Sequence, residues 1–219
     1  VKEEKTNIKD RIKKMFKSKE EEPEEEKKPS KPNYNKEEID FGRLHKGLAW
    51  SPDNKKLVYS KYHFGSHGSM IWDICLFDTD TEKSNFITKD MRASYPIFSP
   101  DGKKIVFVSH SNSNANLFQM DLNGENIEKI TDFKGDISVL DPSFSPDGSK
   151  IIFSMSGADG NLDIYYLDIG SNKIERLTNN PSVDYLPIWH PDGKNIIFTS
   201  HRGTTPNMFT LDIDNNDIK

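Results

Sequence analysis

From about residue 40 onward, short β-branched or aromatic runs alternate with clusters of turn-forming residues, and the alternation returns four times. AWSPDNKKLVYS (49–60) recurs as IFSPDGKKIVFVS (97–109), SFSPDGSKIIFSMS (143–156) and IWHPDGKNIIFTS (188–200). Its Pro-Asp pairs begin at Pro52, Pro100, Pro146 and Pro191, so the intervals are 48, 46 and 45 residues. Each unit reads as four strands. A short apolar stretch ends in an aromatic (Trp50, Phe98, Phe144, Trp189) and runs into a Pro-Asp-Gly turn. There proline presets φ, Asp bonds the backbone ahead and Gly accepts positive φ. Asn54 stands at the glycine position of the first unit, a residue that also tolerates the left-handed region. A β-branched run follows as the second strand: Leu57–Tyr59, Ile105–Val108, Ile151–Phe153 and Ile196–Phe198. The third strand alternates apolar and polar and ends in Asp: IWDICLFD (71–78), NLFQMD (116–121), NLDIYYLD (161–168) and NMFTLD (207–212). Such alternation marks half-buried strands. After a polar turn comes the fourth strand, at NFIT (85–88), IEKIT (127–131) and IERLT (174–178).

A repeat of this length with four strands per unit predicts an all-β fold, a β-propeller of four-stranded antiparallel blades. Four SPDG-type repeats are present, starting near residues 46, 94, 140 and 185. The run SPDGKKIVFVS…NLFQMDLNGENIEKIT resembles the TolB-like (PD40, WD40-like) propeller repeat, also found in tricorn-like and prolyl-oligopeptidase-like propellers, over roughly residues 44–219. The resemblance implies a propeller of about six blades, within the usual range of closed rings. It does not imply one function, because the fold serves many. No Gly-His…Trp-Asp pair of the eukaryotic WD type occurs.

The last unit is shorter than the others. Aligned with LDIGSNKIERLT (167–178), LDIDNNDIK (211–219) stops before the equivalents of Arg176, Leu177 and Thr178, so most of a fourth strand is expected to be missing and the third strand to present a bare edge. Two arrangements fit: further blades following Lys219, or the segment EEIDFGRL (37–44) closing a four-bladed ring. Val1 in place of Met is compatible with an upstream segment.

Composition divides the chain in two. Residues 1–39 are nearly all Lys, Glu, Asp, Pro and Asn, too poor in apolar groups to offset their conformational entropy by burial, and read as a charged, flexible or partly helical arm; residues 40–219 carry the blades. Within the arm Ile8, Ile12, Met15 and Phe16 fall at helical spacing among basic residues, a weak candidate for membrane-surface or partner contact. The acidic run Glu20–Glu26 beside it opposes anionic lipid and favours a linker, which PSKPNYN (29–35) continues. The net charge of −5 argues against general nucleic-acid binding. Cys75 is single, so no internal disulfide forms. No apolar run reaches the ~20 residues that span a bilayer.

No serine elbow, zincin helix, Walker loop or dinucleotide fingerprint occurs, so no catalytic residue and no cofactor is expected. GSHGS (65–69) lacks the strand–turn–helix setting of a nucleophile. His63 and His67 sit four apart in what reads as a long loop of the first blade, a spacing that converges imidazoles only on a helix. DTDTE (78–82), DLNGEN (121–126) and DIDNND (212–217) resemble calcium loops, Asp212 and Asp214 above all, but all occupy one repeat position and read as turn builders.

In a propeller the first strand of each blade lines the channel. The segments leading into it, read as loops, are HKGLAW (45–50), MRASYP (91–96), ISVLDP (137–142) and SVDYLP (182–187). They supply His45, Arg92, Tyr95, Asp141, Asp184 and Tyr185 as a candidate protein-binding face, mixed charge beside tyrosine being what interfaces favour. The resemblance to TolB implies a non-catalytic protein-binding scaffold, in the periplasm or cell envelope of a bacterium. Two alternatives stand beside it: the gating propeller of a serine peptidase, and a propeller segment of a large surface protein.

Overall fold

The computed structural model describes residues 44–110, 114–157 and 160–219, and of Leu44 and His45 the backbone alone. The arm residues Ile8, Ile12, Met15 and Phe16 and the closing segment 37–43 lie outside these. Among the described residues every regular element is a strand. The strands form four antiparallel sheets of four, each with spatial order equal to chain order. Blade 1 is β1 (Leu44–Trp50), β2 (Lys56–Phe64), β3 (Met70–Asp78) and β4 (Lys83–Phe86). Blade 2 is β5 (Ala93–Phe98), β6 (Lys104–Ser109), β7 (Asn116–Asp121) and β8 (Glu128–Lys129). Blade 3 is β9 (Val139–Phe144), β10 (Lys150–Ser156), β11 (Leu162–Asp168) and β12 (Lys173–Arg176). Blade 4 is β13 (Asp184–Trp189), β14 (Asn195–Ser200), β15 (Asn207–Asp212) and β16 (Asp217–Ile218).

The repeated SPDG sequence builds one hydrogen-bonded turn between the first two strands of a blade. In blade 2 the Ser99 hydroxyl donates to Asp101 Oδ1 (2.6 Å) and accepts the Lys104 N–H (3.0 Å), while Lys103 N–H donates to the same Asp101 oxygen (3.1 Å). Gly102 takes φ +69°, and Asn54 takes +58° at the same place in blade 1. In blade 4 His190 replaces the serine; Asp192 still accepts the Lys194 and Asn195 N–H groups.

A second repeated device closes the outer edge of blades 1, 2 and 3. Thr88, Thr131 and Thr178, just past the fourth strands, accept the N–H of Ile74, Leu117 and Ile164 and donate to the buried Asp73, Asn116 and Asp163. Asp73 and Asn116 also take N–H groups of the link to the next blade, from Asp90 and Met91 (2.7 and 3.0 Å) and from Phe133 (2.7 Å). Buried side-chain oxygens are thereby satisfied by backbone that must be ordered anyway.

Three departures from the sequence expectation have physical causes. The segments read as loops before the first strands are largely the strands themselves, β1, β5, β9 and β13. Pro96, Pro142 and Pro187 do not break them, because each is an edge strand of its sheet and its missing N–H falls at an irregularity in the ladder. The long loop of blade 1 is mostly strand: Lys61↔Asp73, Tyr62↔Trp72, His63↔Ile71 and Phe64↔Met70 extend the β2–β3 ladder, with aromatic and β-branched cross-strand pairs supporting it. The third strand of blade 4 is not bare. β16 pairs with it through Leu211↔Ile218 and Asp212↔Asp217.

Blades pack face to face through apolar clusters. Val58 and Ile74 of blade 1 meet Ala93, Ile105 and Phe107 of blade 2. Val106, Val108 and Leu117 of blade 2 meet Val139, Ile151 and Phe153 of blade 3. Ile152 and Ile164 of blade 3 meet Ile196, Phe198 and Leu211 of blade 4. Met208 occupies in blade 4 the position of Ile74, Leu117 and Ile164; it is 80% exposed where those three are 0%. The two environments predict different outcomes for one truncation. Leu117→Ala should cost about 2–5 kcal/mol in urea unfolding, whereas Met208→Ala should stay within about 0.5 kcal/mol. Equal costs would mean that the face of blade 4 is covered as the others are.

Candidate functional site

Each first strand carries the same irregularity. Its register slips, by two residues between Leu44 and Leu48 and by one between Ser94 and Ile97, Leu140 and Ser143, and Tyr185 and Ile188. Inside each slip stands one left-handed residue: Gly47 (φ +81°), Tyr95 (+53°), Asp141 (+52°) and Leu186 (+53°). A bulge of this kind re-aims a side chain out of the alternating ladder, and for tyrosine or leucine a positive φ stores strain that the surroundings must hold.

The four bulges adjoin one another in order. A Cβ on Gly47 would stand 2.6 Å from Tyr95 Cα, so blade 1 is in backbone contact with the bulge of blade 2. Burial, aided by the nearby Asp141 carboxylate, pushes the half-buried Tyr95 phenol up to about 12. Burial also raises Asp141 above its ordinary value, against a hydrogen bond from the Leu186 N–H and the charge of Lys46. Lys46 Nζ lies 5.6 Å from the Tyr95 ring centroid, over its face. The bulge end of the first strands is therefore a charged mouth that brings the Tyr95 phenol, the Asp141 carboxylate and the Lys46 ammonium together beside the Leu186 backbone. Their other end is apolar: a cavity of about 470 Å³ lined by Ala49, Trp50, Ile97, Phe144 and Trp189 together with three of the turn prolines, Pro100, Pro146 and Pro191.

The candidate face is thus partly assembled and partly dispersed. Tyr95 and Asp141 are brought together. Arg92 is exposed on the link before β5, itself left-handed at φ +49°. Tyr185 is half-buried, its ring centroid 5.6 Å from that of His201 and its hydroxyl 3.4 Å from His201 Nε2. Asp184 is 0% exposed and bonded to Arg202 Nη2 at 2.7 Å, so it is no surface group: it fills the position of the buried Ala93 and Val139. His45 lies in β1, and its side chain is outside the described residues. Lys46 and Leu186 escaped the sequence reading. For Leu186 a signal was there: Tyr95-Pro96, Asp141-Pro142 and Leu186-Pro187 align, with Gly47 at the same place.

The other candidates resolve into local structure. His63 Nε2 lies 2.8 Å from Asp73 Oδ2 within the β2–β3 ladder. GSHGS is a hairpin turn, closed by Gly65 N–H to Ser69 O at 2.9 Å. Asp212 Oδ1 accepts the N–H groups of Asp214 and Asn215 (3.0 and 3.1 Å). Cys75 is buried, and that burial pushes its thiol up to about 12.

Sixteen described strands in four repeated antiparallel sheets define a β-propeller. Residues 54–219 match the PD40 family, the TolB beta propeller domain, and the chain belongs to that family. It is 35% identical over 123 residues to the Tol-Pal system protein TolB of Bordetella pertussis, covering 56% of this chain and 27% of that protein. The chain spans about a quarter of the length of the curated relatives it matches. The crystal structure of TolB from Acinetobacter baumannii superposes with a TM-score of 0.64 at 30% identity, over 79% of this chain and 42% of that one. An oligogalacturonate lyase in complex with manganese shares the fold (TM-score 0.65, 80% of this chain and 52% of that one) at 17% identity, a likeness that carries no activity across.

The raised Asp141 predicts a pH effect. The folded state holds this proton more tightly than an exposed chain, so Asp141 weakens the fold progressively as pH rises from about its ordinary 3.8 through its raised folded value. In Asp141→Asn that loss is absent, so the melting temperature of the variant should gain on the parent across this window and then level off. Thermal melts at stepped pH check it; a constant difference would mean that the carboxylate is not desolvated.

Proposed function

We propose that this chain is a protein-binding propeller that works without catalysis in a bacterial cell envelope, as part of a Tol-Pal-type assembly, and that its partner docks at the mouth formed by the four bulges. Residues 40–219 are the binding unit, and residues 1–39 a charged tether. The observation that carries the reading is one left-handed bulge residue at the same place in each first strand, and it differs in every blade: Gly47, Tyr95, Asp141 and Leu186. Scaffold residues repeat because packing demands it, whereas a varied, strained position at a channel mouth is where recognition is placed. Membership of the TolB propeller family and the Tol-Pal relatives support the envelope location and a protein partner.

Calorimetry of the purified chain against a Pal-type protein domain tests the reading. Binding should fall roughly hundredfold or more when Tyr95, Asp141 and Tyr185 are replaced together by alanine, tyrosines being frequent anchors of interface energy. Unchanged affinity in the folded triple variant would remove the mouth as the docking face. The same preparation should show no hydrolysis sensitive to serine reagents; measurable hydrolysis would overturn the non-catalytic assignment.

A further inference from the structure

The β2–β3 hairpin of blade 1 reaches past those of the other blades, and its turn folds back onto the link to blade 2. Ser66 holds it there: its N–H donates to Asp90 Oδ1 at 2.9 Å and its hydroxyl to Asp90 Oδ2. Gly65 makes the approach possible, because a Cβ there would stand 2.6 Å from both Asp90 Oδ1 and Ile71 Cδ1. Between turn and link lies a cavity of about 310 Å³, lined chiefly by His67, Ser69, Asp90, Arg92 and His110 over Ile71.

This cavity gathers one guanidinium and two imidazoles in a chain whose net charge is −5. Its one carboxylate, Asp90, is already satisfied: the Ser66 bonds, with smaller help from Lys89 and His67, hold it below the usual range. Among the described residues the Arg92 guanidinium has no ion-pair or hydrogen-bond partner. His110 Nδ1 is buried and likewise unpartnered, a state that in a folded protein calls for an explanation. The Arg92 backbone sits at φ +49°, a strained placement for a residue other than glycine.

We propose that this cavity is an oxyanion-binding site for a carboxylate, either a free dicarboxylate or the acidic side chain of a peptide, with Arg92 as its fork and Ser69, His67 and His110 as further donors. It is separate from the axial mouth and does not depend on the function proposed there. A planar guanidinium suits a carboxylate's two oxygens. His110 supplies pH dependence. In the free protein burial, and then Lys46 and Arg92, push its proton off, against a favourable contact with the Arg92 carbonyl. The Trp72 ring stands edgewise to the imidazole with centroids 6.3 Å apart, and Asp90 and His67 share the cavity. A bound carboxylate favours the charged imidazole, so binding takes up a proton and tightens as pH falls through the histidine range.

The test uses the full chain, with succinate, inorganic phosphate and a short Asp/Glu peptide as probes, read by backbone NMR shifts at constant ionic strength. Succinate and the peptide should shift His67, Arg92 and His110, compete with one another, and bind more tightly at about pH 6 than at pH 8, by roughly tenfold if His110 gains its proton. Arg92→Gly should abolish both while leaving the fold intact, because glycine accepts the left-handed backbone. Arg92→Lys should retain only part of the affinity, the charge without the fork. Shifts that sodium chloride reproduces, or binding that survives Arg92→Gly, would overturn the site. Phosphate displacing succinate at equal concentration would overturn the carboxylate assignment.

Discussion

A four-stranded blade has two apolar faces and cannot cover either by itself. Phe107, Phe153 and Phe198 occupy one repeat position, and each is pressed into the face of the blade before it. At about 25 cal/mol per Å² of apolar surface removed from water, these contacts are the largest favourable contribution the blades can share. They are also mutual, so each blade orders the next, as in other repeat architectures. The SPDG turn, the Thr–Asp clasp and the bulge all lie at fixed distances from this packed layer.

The clasp shows how packing and polar chemistry are joined. Asp73, Asn116 and Asp163 are buried beside the apolar layer, where an unpaired carboxylate or amide would be strongly destabilising. Each is met by a threonine just past the fourth strand, and Asp73 and Asn116 also by backbone N–H groups of the link to the following blade. The link is thereby held in register, and with it the start of the next channel strand. Precision at the mouth follows from this: a one-residue slip would turn Tyr95 or Asp141 to the other face of its strand.

Much of the fold was legible because the repeat presents four versions of the same constraints. Turn chemistry at Pro52, Pro100, Pro146 and Pro191 and alternation in the third strands place the elements within a residue or two. Where the reading went astray, the deciding contact was remote in sequence. β2 runs on to Phe64 because Met70, Ile71 and Trp72 pair with it, which turned His63 from a loop residue into a partner of Asp73. Asp184 read as a surface acid; Arg202, 18 residues later, makes its burial tolerable. Lys46 gave no local signal at all, since its relevance is a position over the Tyr95 ring of the next blade.

By itself, then, the sequence determined the blade: its four strands, its turns, its apolar faces and the number of repeats present. These are set by short-range rules, namely side-chain period, proline and glycine geometry and β-branching, and each rule acts over a few neighbouring residues. Only the tertiary structure decided which variable residues meet. Gly47, Tyr95, Asp141 and Leu186 are separated by more than forty residues each, yet adjoin at one end of the channel strands. His67, Arg92 and His110 come to one cavity for the same reason. Juxtaposition across blades depends on how one face seats on the next, and that is a property of the packed assembly that no single repeat contains.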